Sequence, residues 1–159
     1  MQLRKLLPVT VIALLVAAAL GPWAAAASGA VVANGGGIGT LNGTDPFSHF
    51  GFGVRFADDS SARGHFTCLM AGNAAFPSFE PLMKVDGAVT TGTADVADGE
   101  AEFTGAGTLN LGPSGRTNAL FRVRVTRGGA GVGTLRLTVL APPFPLPTEH
   151  ILSGRINVG

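Results

Sequence analysis

The chain predicts an all-β fold, an antiparallel meander of about eight strands, with a closed β-barrel favoured over a two-sheet sandwich. Two observations lead there. Beyond residue 28, apolar and polar residues alternate with a period of two, and clusters of Gly, Asp, Asn and Pro interrupt the alternation at short intervals. No apolar stripe of helical period and useful length occurs. Closure is favoured because eight strands can close and a closed sheet leaves no unpaired edge.

Taken in order, a glycine-rich first strand is expected at Val31 to Leu41, with Gly35-Gly36-Gly37-Ile38-Gly39 a flexible lead-in. No helix follows that run, so it is not a phosphate-cradling loop. Asn42-Gly43-Thr44 fits a glycosylation sequon and is read as a turn. The clearest strand is His49 to Phe56, with Phe50, Phe52, Val54 and Phe56 on one face and Gly51, Gly53 and Arg55 on the other. Asp58-Asp59-Ser60-Ser61 turns the chain into Gly64 to Met70, where Phe66, Cys68 and Met70 oppose His65 and Thr67. A loop bearing Pro and Phe follows, Ala74 to Pro81.

Further strands are expected at Leu82 to Thr91, Glu100 to Leu109, Ala119 to Thr126, Gly133 to Leu140 and Leu152 to Val158. In the sixth strand Phe121, Val123 and Val125 oppose Arg122, Arg124 and Thr126. In the seventh Leu135, Leu137 and Val139 oppose Thr134, Arg136 and Thr138. Each has one apolar and one wet face, as a meander around one core requires. The prolines of Ala141-Pro142-Pro143-Phe144-Pro145-Leu146-Pro147 exclude a central strand and make this segment the longest expected ordered loop.

Residues 1–27 read as a secretory signal peptide: Arg4-Lys5, an apolar run from Leu6 to Leu20, then the small-residue tail Ala24-Ala25-Ala26-Ala27-Ser28. The run is shorter than the roughly 20 residues a spanning helix needs. Residues 28–159 then form one domain, secreted to the periplasm or the medium, with no membrane association after cleavage. The chain carries 11 Lys and Arg against 10 Asp and Glu, and the signal holds two of those cations and no acid. A near-neutral domain has no general attraction for nucleic acid or anionic lipid. Cys68 is the only cysteine, so packing and not an intramolecular disulfide must stabilise the domain. Lipid attachment has no cysteine after the small-residue tail to use. There is no Tyr, and the only Trp, Trp23, lies in the signal, which argues against sugar-stacking faces and outer-membrane girdles.

Several runs share an order with a known family: Phe50-Gly51-Phe52-Gly53-Val54-Arg55-Phe56, Arg63-Gly64-His65-Phe66, Ala101-Glu102-Phe103-Thr104-Gly105, Leu135-Arg136-Leu137 and Leu152-Ser153-Gly154-Arg155-Ile156-Asn157-Val158. Through them most of the mature chain resembles the post-COAP family of bacterial extracellular domains. The resemblance implies an exported, glycine-rich, all-β domain without assigned activity, and it supplies no catalytic residues. Arg127 stands where the family has an Asp after the sixth strand, and the Asp of a Gly-x-Gly-Asp turn is replaced around Val132-Gly133. The resemblance therefore carries no metal ligand over to these two positions.

Asp95, Asp98, Glu100 and Glu102 gather carboxylates that suit calcium, but their spacing matches no EF-hand, and Asp98-Gly99 reads as a hairpin turn among solvated acids. Arg122, Arg124 and Arg136 alternate onto the polar face of adjacent strands as a candidate anion-binding stripe. Glu102 is the expected neighbour, and Arg155 a further candidate. His49, His65 and His150 lack metal-ligand spacing, Ser48-His49 lacks a nucleophile elbow, and Cys68 reads as an inert buried thiol. No catalytic residue, metal or cofactor is assigned. Gly105 and Gly107 share the face of Ala101, Phe103 and Leu109, so their missing side chains leave interior space. Either phenylalanines fill it, or a cavity lined by Phe50, Phe52, Phe66, Phe103, Phe121, Gly105 and Gly107 holds a small apolar ligand. The leading expectation is a non-enzymatic extracellular interaction or structural module, its partner unassigned between a protein and a small apolar ligand. The alternatives are a carrier of a small apolar ligand and, third, an enzyme with an unrecognised site, a reading that His49 or His65 placed beside the acidic cluster in a pocket would strengthen.

Overall fold

The computed structural model describes residues 30–71 and 82–159. The expected signal peptide, residues 1–27, and the expected loop Ala74 to Pro81 lie outside the described residues. Eight strands form in chain order: β1 (Val31–Thr40), β2 (Ser48–Phe56), β3 (Ser61–Ala71), β4 (Leu82–Asp95), β5 (Glu100–Asn110), β6 (Arg116–Thr126), β7 (Thr134–Ala141) and β8 (Pro143–Val158). Each pairs antiparallel with the next, and β8 returns to β1, so the sheet is a closed meander barrel. A short 3-10 turn, Gly112–Ser114, joins β5 to β6.

The alternation read from the sequence is the inside-outside alternation of the barrel wall. On β2 Phe50, Phe52, Val54 and Phe56 are buried, and on β6 and β7 Phe121, Val123, Val125, Leu135, Leu137 and Val139 are 0–1% exposed. All of these belong to one core cluster that fills the centre of the barrel.

Two expectations are corrected. The proline segment is not a loop, because β7 runs to Ala141 and β8 starts at Pro143, with Leu140 opposite Pro143, Val139 opposite Phe144 and Thr138 opposite Pro145. Here β8 has β7 as its one ladder partner, since β1 joins it only from His150 onward. Pro143 and Pro145 alternate with Phe144, so their missing N–H groups fall on one and the same side of the strand, which a stretch with a single ladder partner tolerates. Leu146 and Pro147 are taken up by the register shift between Arg136 and Thr138. The second correction concerns Gly35 to Gly39, which are paired on both sides within β1 and form no flexible lead-in. Their small size is used: a Cβ on Gly35 would lie 2.8 Å from the Phe52 ring and 3.0 Å from Ile156.

Turn chemistry accounts for the connections. Asp95 accepts the Asp98 amide and Gly99 adopts φ +70°, a left-handed conformation that glycine takes at little cost, so Val96 to Gly99 reverse the chain into β5. Asn42 Oδ1 accepts the amides of Thr44 and Asp45 while its Nδ2 donates to Asp45, which makes the sequon an Asx-type turn.

Candidate functional site

The interior was the first candidate site, and its five phenylalanines form one continuous ladder of rings. Centroid separations run Phe50–Phe52 6.4 Å, Phe52–Phe103 5.5 Å, Phe103–Phe66 6.1 Å and Phe66–Phe121 5.5 Å. These are stacked, tilted and edge contacts of the kind that add roughly 0.5–1.5 kcal/mol per pair beyond burial. Every one of the five stands directly opposite a glycine on a neighbouring strand: Phe50 with Gly37, Phe52 with Gly35, Phe66 with Gly87, Phe103 with Gly92, and Phe121 with Gly105. Gly35, Gly87, Gly92 and Gly105 each leave room for a phenylalanine ring, Phe52 at Gly35, Phe56 at Gly92 and Phe121 at the other two. A Cβ on Gly87 would come within 2.8 Å of Phe121, and one on Gly105 within 2.5 Å of the same ring. Gly107 is closed off differently, because a Cβ there would meet the Gly87 and Asp86 backbone. The space that the sequence leaves at Gly105 is thus taken by Phe121.

The outer face of β5, β6 and β7 holds the second candidate. Register places Glu102 opposite Arg124 and Arg124 opposite Arg136, with Arg122 opposite Thr104 and Thr138. Arg124 pairs with Glu100 at 2.7 Å and Arg122 with Glu102 at 3.6 Å. The hydrogen bond and charge of Glu100 hold the Arg124 guanidinium above its ordinary value. Arg136 makes no ion pair among the described residues, although it faces another guanidinium across the ladder. A groove of about 290 Å³ runs between these groups, lined by Glu102, Arg122, Arg124, Arg136 and Thr138. Arg155 stands apart, opposite Gly36 on the far side of β8. The acidic cluster is divided: Glu100 and Glu102 serve the arginines, and Asp95 caps the turn.

The histidines are not brought together. His65 contacts Asp86 at 3.4 Å on the exposed β3–β4 surface, where Lys84 also reaches Asp86 at 3.2 Å, whereas His49 and His150 lie exposed on β2 and β8. Burial is the largest single influence on Asp86 and pushes its pKa up, but the hydrogen bonds from Lys84 and Thr67 and the charges of Lys84 and His65 together outweigh it and hold the group below its usual range. Among the described residues, no three His, Cys, Asp or Glu side chains converge as metal ligands.

Glu149 was missed by sequence reasoning. It is 0% exposed inside the barrel, where Oε2 accepts the Ser48 hydroxyl and Oε1 has no partner among the described residues. Burial pushes its pKa up to about 7, against the opposing Ser48 hydrogen bond. Burial and the Glu149 charge also push the Cys68 thiol far up, which keeps it protonated and unreactive. The signal that would have found Glu149 is its two-residue offset from Ile151. A strand starting at Leu152 hides it, because the register shift between Ile38 and Gly39 changes the inward parity along β8.

No protein-family model, curated protein or solved structure matches the chain.

Proposed function

We propose that the chain is a secreted, non-enzymatic β-barrel module that acts as an extracellular interaction or structural protein through its outer surface. The observation that carries this reading is the ring ladder. Five phenylalanines standing opposite glycines occupy the interior that a carrier would need for its ligand. The apolar hollow at Met83, Leu109, Leu111, Pro142, Pro143 and Phe144 measures about 130 Å³, well under the ~300 Å³ at which small-molecule sites begin. Export rests on the signal-peptide character of residues 1–27 and on the family resemblance. Titrating the folded mature protein with an apolar fluorescent probe is expected to give no saturable binding. A one-to-one saturable site would overturn the reading in favour of a carrier.

The surface best equipped for a partner is the arginine groove, where an incoming carboxylate or sulfate would relieve the repulsion between Arg124 and Arg136. Sulfate titrated against the labelled protein should therefore shift β6 and β7 amide resonances. Arg136→Gln should weaken the response roughly fivefold, the ~1 kcal/mol of one exposed charge contact. Shifts spread evenly over the barrel would count against this surface.

A further inference from the structure

Glu149 lies on the seam that closes the barrel. Its side chain leaves β8, passes over Gly39 of β1 and meets Ser48 on β2, so one hydrogen bond spans three strands at the place where the first and last strands join. Gly39 is what permits this crossing: a Cβ there would collide with the carboxylate and lie 2.7 Å from the Ser48 hydroxyl. β1 and β8 also shift register at this point, between Ile38 and Gly39.

Of the groups around the carboxyl, the Ser48 hydroxyl favours the ionised form through its hydrogen bond, and burial outweighs it. From β1 it meets Gly39, from β2 Ser48 and from β3 the thiol Cys68, while Leu135 stands opposite it on β7. His49 and His150, the sequence neighbours of Ser48 and Glu149, are exposed on the outer wall. No Lys, Arg or His pairs with Glu149 among the described residues. A neutral acid can share one hydrogen bond with Ser48 at modest cost, whereas an ionised one leaves charge on a buried Oε1 that has no hydrogen-bond partner among the described residues.

We propose that Glu149 is a proton-operated latch: neutral, it ties β8 to β2 across β1, and ionised, it loosens the seam of the barrel. The sign follows from linkage. The native pKa, about 7, lies above the ordinary 4.5, so the folded state binds the proton more tightly than the unfolded chain does. The latch therefore contributes fully below about pH 4.5, and its contribution is lost as pH rises through about 7. A secreted domain with such a seam is held tighter in acid than in neutral surroundings.

The test compares the mature protein with Glu149→Gln, which keeps the shape and cannot ionise. Between pH 4.5 and 8 the folding constant of the wild type should fall roughly a hundredfold relative to the variant. Hydrogen exchange, corrected for its intrinsic pH dependence, should accelerate toward pH 8 at Ile38 to Thr40 and His150 to Ser153 in the wild type alone. A ratio that stays flat with pH overturns the latch, and so does acceleration spread evenly over all strands. Should Glu149→Gln fail to fold, carbon-13 titration of the wild-type carboxyl decides: a midpoint near 7 supports the latch, and an ordinary carboxylate midpoint overturns it.

Discussion

Phe103→Ala is expected to cost the barrel about 3–5 kcal/mol and to lower the melting temperature by roughly 10 °C or more. Phe103 is 0% exposed and sits in the middle of the ring ladder, touching Phe52 on one side and Phe66 on the other. Gly92 opposite it has no side chain with which to collapse into the void, and β4 and β5 are fixed by the ladder that pairs them. The loss is therefore both the transfer of a large ring and the cavity left behind. A marginally stable domain with about 5–15 kcal/mol in total would feel it strongly. Urea denaturation monitored by circular dichroism measures the change. The same variant supplies a positive control for the probe titration, since a dry cavity bordered by Phe52 and Phe66 should take up a small apolar molecule that the wild type excludes. A loss below 1 kcal/mol would mean that the ring is not packed as described.

Much of this architecture is legible in the residues. Alternation gives the eight strands and their inner faces because a half-buried strand has no other way to separate water from core, and Asp98-Gly99 marks its turn through the left-handed glycine. The failures share a cause, which is that register is not local. Whether Pro143 and Pro145 can sit in a strand depends on β1 joining β8 only at His150, a fact about two other segments. Glycine-on-phenylalanine pairing is likewise a property of strand pairs: Gly105 looks like empty space until β6 is placed with Phe121 opposite it. Glu149 is hidden by a register shift that changes which residues face inward. Glu102 was expected beside the arginines and pairs with Arg122, but Glu100, read as a solvated turn acid, is the partner of Arg124. That diagonal reach belongs to side-chain length, which alternation does not encode.

Gly105→Val separates a filled interior from a hollow one more directly than any binding assay, and it should destabilise the protein by about 3 kcal/mol, the upper end for an overpacked core. Gly105 does not occupy the left-handed region, so backbone conformation is not the reason for glycine here. The reason is space: a Cβ would press 2.5 Å from the Phe121 ring and into the Ala88 carbonyl of the paired strand. Gly53 is the control. It lies on the outer wall of β2 and a Cβ there meets nothing within 4 Å, so Gly53→Val should be neutral or gain up to ~1 kcal/mol through strand propensity. Adding Phe121→Leu to Gly105→Val should recover part of the loss, because the smaller side chain withdraws from the seat. Denaturation of the four proteins in a double-mutant cycle measures that coupling. If Gly105→Val were as harmless as Gly53→Val, the interior would have room to spare, and a small apolar ligand would again be the better account of why five phenylalanines face inward.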